Sequence, residues 1–220
     1  MFPIAAPKAQ GAPIGTLAAG ATLSGATAPR ALVTIGAPWA FGAAIGNIGS
    51  IRTAGRHYGA TRLSAQIDAL SEAFGAVPVA LFQQLFALID PIQAARKFRR
   101  FASLDPDCAE ATLFVALEDW LADGVPMAGP AAKTLLIDWY LGDAPGRGRW
   151  PRQDRAPLPR ALVVAGRRDS IAQSAMARPL AARLGADLLE PSLGHVGMIT
   201  GSRAGREVLA PVVEFLRAGA

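Results

Sequence analysis

Cysteine, histidine and lysine are scarce in this 220-residue chain: it has one Cys and two His, and few lysines stand among its 22 basic residues. A single cysteine, Cys108, excludes an internal disulfide and fits a reducing compartment. His57, His195 and Cys108 lie far apart in sequence and offer no metal-ligand spacing, so no metal is expected. The glycine-rich start lacks the lysine and hydroxyl of a phosphate-binding loop, and no cofactor is expected. No run of about 18 apolar residues free of charge and proline occurs, which argues against a membrane-spanning helix. Residues 1–20 carry Pro3, Pro7 and Pro13 with Lys8 as the one charge, without the ordered regions of a signal peptide; a cytoplasmic location is the expectation. The net charge of +5 comes from arginines spread between Arg30 and Arg217. There is no basic block with interleaved aromatics, so nucleic acid is not an expected partner; the charge suits an anionic small substrate or a solvated arginine-rich surface equally well.

What is present is a core-forming composition, 51% hydrophobic, in a length that suits one domain with an insertion. Residues 14–24 are rich in Ala, Leu and Gly and read as a closely packed helix. Ala31-Leu32-Val33-Thr34-Ile35-Gly36 is a nearly continuous apolar, β-branched run, the pattern of a strand buried on both faces of a parallel sheet. Arg160-Ala161-Leu162-Val163-Val164-Ala165-Gly166 repeats it, and residues 186–190 form a shorter strand. Helices are expected at 172–184 and 203–217. Between the first two strands the periodicity turns helical, at 63–74, 79–88, 92–103, 109–121 and 129–140. Pro78, Asp90-Pro91 and Asp105-Pro106 punctuate these helices, and Asp107 with Glu110 forms a cap for the fourth. Residues 143–159 are polar, with Trp150 as their one aromatic side chain, and read as a linker. This order predicts an α/β fold: a short, mostly parallel sheet with flanking helices, made of residues 1–51 and 151–220, with a helical cap and linker inserted at 52–150.

In such a sheet, ligands gather at the C-terminal ends of the strands. Asp169 follows one buried strand by three residues and His195 follows another by five, 26 residues after Asp169, so both project from the same edge. A carboxylate beside an imidazole fixes the ring tautomer and stabilises the imidazolium formed when the ring takes a proton from a nucleophile. The order acid then histidine is that of the last two members of an α/β-hydrolase triad. Taken singly, Asp169 serves equally as a cap of the next helix and His195 as a loop residue; together they are the candidate catalytic pair.

The first triad member should stand earlier, on a Gly-x-Ser-x-Gly turn or its cysteine counterpart. Gly11-Ala12-Pro13-Ile14-Gly15 has the glycines but neither a hydroxyl nor a thiol. Proline has no reactive side-chain atom and suits the first turn of an ordinary helix. The stretch therefore reads either as an elbow without its nucleophile or as a proline-started helix. Cys108 sits at a helix start beside Asp107 and Glu110, whose charges raise a thiol's pKa, and reads as structural. His57 reads as a surface residue in an irregular approach to the cap.

With these residues in place the chain resembles polyhydroxyalkanoate synthase-like α/β-hydrolases over about residues 14–217. The segments that carry the resemblance are Gly-Thr-Leu-Ala-Ala at 15–19, Leu-Val-Thr-Ile-Gly-Ala-Pro-Trp at 32–39, Phe-Val-Ala-Leu-Glu-Asp-Trp-Leu-Ala-Asp-Gly-Val-Pro at 114–126, Asp-Trp-Tyr at 138–140 and Gly-His-Val-Gly-Met at 194–198. The resemblance implies hydroxyacyl transfer from a hydroxyacyl-CoA to a polyester by a cysteine, histidine and aspartate triad. It casts His195 as the base and Asp169 as its orienting acid.

The family's elbow has the form Gly-x-Cys-x-Gly-Gly, whereas this chain places Pro13, or Ala12 in the alternative register, at the nucleophile. Family members also have several strands before the elbow, and ten residues precede Gly11 here. The resemblance therefore implies an N-terminally truncated core, impaired in this form, whose sheet a homo-oligomer or a complementing chain would complete. A polyester-granule location goes with it. A non-catalytic granule or acyl-binding scaffold and a general ester hydrolase are the alternative expectations.

Overall fold

A computed structural model describes residues 11–27, 29–89, 91–150 and 157–218. Three parallel strands, β1 (Ala31–Ile35), β2 (Arg160–Val164) and β3 (Asp187–Leu189), form a sheet in the order β1-β2-β3. Leu32 lies opposite Ala161, and Val163 opposite both Thr34 and Leu188. The short apolar segments form strands because β-branched and leucine side chains pack on both faces of a pleated surface. β2 is central, and Val163 and Val164, which point to opposite faces, are both fully buried.

On one face the small residues of α1 (Gly11–Leu23) allow close approach. Ala19 and Leu23 pack with Leu32, Val163 and the Ala177, Leu180, Ala181 and Leu184 side of α8 (Ser174–Leu184). Gly185, in the left-handed conformation, terminates α8. On the other face Leu162 and Val164 pack with Met198 and Val208, supported by Val212 and Phe215. Met198 belongs to a one-turn helix, α9 (Gly197–Thr200), and Val208 to a wide π-helical turn (Gly205–Leu209) that runs into α10 (Ala210–Arg217). Residues 192–198, read as a loop, thus end in the start of a helical turn. Among the described residues β1 pairs with β2 alone, which leaves it at the edge.

Between β1 and β2 the chain is helical: α2 (Gly46–Tyr58), α3 (Ala60–Phe74), α4 (Val79–Ile89), α5 (Pro91–Phe101), α6 (Ala109–Ala122) and α7 (Gly129–Lys133), which continues as a π-helix (Thr134–Leu141). The approach to the cap around His57, expected as irregular, belongs to helix α2. Its glycines and β-branched residues are weak helix formers, and burial of Ile48 supplies what propensity does not. The cap of α6 also differs from expectation: Cys108, not Asp107, occupies the N-cap, and its Sγ accepts from the Ala111 N–H at 3.3 Å. Phe41, Ile67, Phe82, Leu135 and Trp139 form the core of this helical segment, joined by Met176 of α8. Trp150, read as part of a polar linker, is a packing element. Its ring lies 4.7 Å from that of Trp139 and 5.9 Å from that of Trp39, bridging the helical core and the sheet core.

Candidate functional site

Parallel pairing sends the chain out of β1, β2 and β3 at one edge, and hydrogen bonds carry the ladder beyond the strands. The Gly36 N–H donates to the Val164 carbonyl at 2.9 Å, Ala165 to Leu189 at 2.9 Å, Arg167 to Pro191 at 2.9 Å and Arg168 to Leu193 at 3.1 Å. The loops that leave β2 and β3 therefore run side by side as far as Asp169 and His195. Glycine makes the approach feasible: a Cβ on Gly166 would stand 2.4 Å from the Leu193 carbonyl oxygen.

Asp169 is held by its own loop. Its Oδ1 accepts from the N–H groups of Ile171 and Ala172, both at 2.8 Å, an arrangement that ties the turn into the approach to α8. That leaves Oδ2 for His195, whose Nδ1 stands 2.7 Å away. The Asp169 side chain is fully buried while that of His195 is 25% exposed. A carboxylate oxygen accepts, so Nδ1 carries the proton and Nε2 presents its lone pair, which is the tautomer a general base requires. The structure thus brings together the two residues that sequence spacing placed at one edge.

Two neighbours were not singled out from the sequence. Gly36, at φ +60°, lies under the imidazole: a Cβ there would be 3.0 Å from Cε1 and 3.1 Å from Nδ1 of His195. The only sequence signal for this was a glycine closing a buried strand. Tyr140 lies in the field of Asp169. Burial, and then the Asp169 charge, push its phenol up to about 12. Tyr140 packs edge-on against Phe41, with centroids 4.9 Å apart.

The second turn of α1 is anchored to the same loop that backs the histidine. Gly15 abuts Ala37, where a Cβ would come within 2.7 Å of the Ala37 Cβ, and the Thr16 hydroxyl donates to the Pro38 carbonyl. Residues 11–15, which carry the elbow-like glycine pattern, lie inside helix α1. Of the two readings left open for this stretch, the helix is the one observed.

Cys108 caps α6. His57 lies in the last turn of α2, beside a shallow depression also lined by Ile45, Gly49 and Thr53. Among the described residues no group of three or more His, Cys, Asp or Glu side chains could hold a metal ion, and no helix is long and apolar enough to cross a membrane. A cavity of about 590 Å³ opens between Arg56, Asp138, Trp139, Arg149 and Trp150; neither Asp169 nor His195 lines it.

No family model matches the chain, and no solved structure matches it. Two curated proteins do. The poly(3-hydroxyalkanoate) polymerase subunit PhaC of Haloferax mediterranei is 26% identical over 147 residues, which cover 62% of this chain and 30% of the relative. The protein of the same name from Haloarcula marismortui is 27% identical over 154 residues, 66% of this chain and 32% of the relative. The chain is related to polyhydroxyalkanoate synthases, and it spans about a third of the length of these curated relatives.

Proposed function

We propose that this chain carries the acid–base half of a polyhydroxyalkanoate-synthase-like acyl-transfer site, acting on a hydroxyacyl-CoA or on polyester. The observation that carries the reading is the 2.7 Å contact between a buried carboxylate and the Nδ1 of a partly open imidazole. In this reading His195 Nε2 takes the proton from the attacking thiol or hydroxyl as the new bond to the acyl carbon forms. It then returns the proton to the departing sulfur or oxygen, while Asp169 holds the ring and balances its transient charge. Helices from within residues 52–150 form the cap over this edge, and Tyr140, close enough to feel the Asp169 charge, belongs to its inner side.

Residues 11–15 offer no thiol or hydroxyl, so transfer by this chain alone is impaired. That same observation favours a second reading, a non-catalytic acyl-binding scaffold that has kept the Asp169–His195 edge. Release of CoA from 3-hydroxybutyryl-CoA, followed beside calorimetric binding of the same thioester, separates the two. Slow release that falls at least tenfold in His195→Ala, with binding retained, supports the acid–base role. Binding without any release, unchanged by His195→Ala, overturns it in favour of the scaffold.

A further inference from the structure

Helices α5 and α6 form an antiparallel hairpin. The Phe114 ring stacks on Phe101 at 4.4 Å and meets Phe98 edge-on at 5.6 Å, and Lys97 Nζ binds the Glu118 carboxylate at 2.6 Å. These contacts use Phe114 and Glu118 of α6, yet the flank beside them is also apolar. Leu113 and Leu117, one turn apart, are 60% and 49% exposed. Two neighbouring exposed leucines on one helix flank are more apolar surface than a solvated helix needs. Beside this stripe, α5 carries Arg96, Lys97, Arg99 and Arg100 and no acidic residue. Lys97 is taken by Glu118, whereas Arg96, Arg99 and Arg100 are exposed. The two features share a side. The Arg100 guanidinium reaches to 4.0 Å from Glu110, and Glu110, Leu113 and Leu117 follow one another at i, i+3 and i+7 on one face of α6.

We propose that the α5–α6 hairpin seats on an anionic phospholipid surface, with Leu113 and Leu117 entering the headgroup–acyl boundary and Arg96, Arg99 and Arg100 bound to the phosphates. Exposed leucines flanked by guanidinium groups, in helices of 11 and 14 residues, match an element that lies on a lipid surface rather than one that spans it. Charge decides between occupants. A second copy docking this face about a two-fold axis would set one set of arginines against the other, whereas an anionic headgroup layer complements them.

The inference is independent of the acyl-transfer reading, because it uses neither Asp169 nor His195. Sedimentation of the full chain with phosphatidylcholine vesicles, with and without phosphatidylglycerol, tests it. Binding is expected only with phosphatidylglycerol, weaker at high salt, and unchanged in His195→Ala. Arg96→Gln combined with Arg100→Gln should reduce binding on the order of tenfold or more, while Arg96→Lys with Arg100→Lys retains it. Leu113→Ser with Leu117→Ser should also lower it, at unchanged helix content by circular dichroism. Equal binding to neutral vesicles, no binding, or indifference to the arginine pair overturns the proposal. So does a dimer in light scattering that the leucine pair dissociates, which would assign the face to a second copy.

Discussion

Gly36 and His195 are in such close contact that no side chain fits between them: a Cβ on Gly36 would lie 3.0 Å from the imidazole Cε1, with the Met198 methyl 3.3 Å away on the same side. The backbone of β1's exit thus serves as the floor of the imidazole, and the ring's freedom is limited by Gly36 below and Asp169 at Nδ1. Orientation of the imidazole is a property of three chain segments at once.

Gly36→Ala tests that floor. The residue holds φ +60°, a left-handed conformation that costs a side-chain-bearing residue about 1 kcal/mol or more, and the methyl must also displace the ring. Chemical denaturation should register the loss, and the His195 imidazole resonances should move. An unshifted imidazole spectrum would refute the contact.

Asp169→Asn separates loop support from tautomer control. An amide oxygen can still accept from Ile171 and Ala172, which preserves the turn, but the amide nitrogen then faces Nδ1 and donates to it. The proton should move to Nε2, visible in imidazole nitrogen NMR, and on the acid–base reading any slow CoA release should fall about as far as in His195→Ala, by tenfold or more. Retention of the Nδ1–H tautomer in the variant would contradict this geometry.

Tyr140 sets an alkaline dependence. Its phenol binds a proton in the folded state up to about pH 12, above the ordinary tyrosine value of 10.0, so the folded protein holds more protons than the unfolded chain between those limits. The contribution is intact below pH 10 and is lost as pH rises toward 12. Unfolding free energies of wild type should fall relative to those of Tyr140→Phe as pH rises from 10 toward 12, with a constant difference between the two below pH 10. Parallel curves would show that the phenol titrates normally.

Met198→Ala probes the support under the His195 loop. Met198 is fully buried, its side chain fills the space beside Gly36 and Gly166, and truncation of such a side chain costs about 2–5 kcal/mol. Leu216→Ala, at a surface-exposed position of α10, should cost far less. Comparable losses in urea melts would mean that the Met198 packing is not formed.

Cysteine at Pro13 should bring no acyl-transfer activity beyond ordinary thiol reactivity, because residue 13 lies within helix α1 rather than on a strained strand-to-helix turn. A burst of CoA release from Pro13→Cys, dependent on His195, would overturn this expectation.

Several elements were legible in residues alone. The β-branched runs before Gly36 and Gly166 could be placed as buried strands because burial on both faces leaves a continuous apolar signature. The helices between them were marked by proline and by period. What escaped was decided by packing. Helix α2 has weak propensity and forms against its neighbours, the sulfur of Cys108 took the cap from the better cap former Asp107, and Trp150 lies in a polar segment yet joins two cores.

By itself, the sequence determined which loops carry the acid and the histidine, since parallel β-strands joined by helices must release their C-terminal ends at one edge. It also determined that no thiol or hydroxyl occupies residues 11–15. Only the tertiary structure decided that Nδ1 stands 2.7 Å from Oδ2, that Gly36 bears on the ring and that Tyr140 feels the Asp169 charge. Those distances depend on ladder bonds that continue past the strands and on contacts between segments far apart in sequence. Local propensity does not encode them; the close packing of the sheet and its loops fixes them.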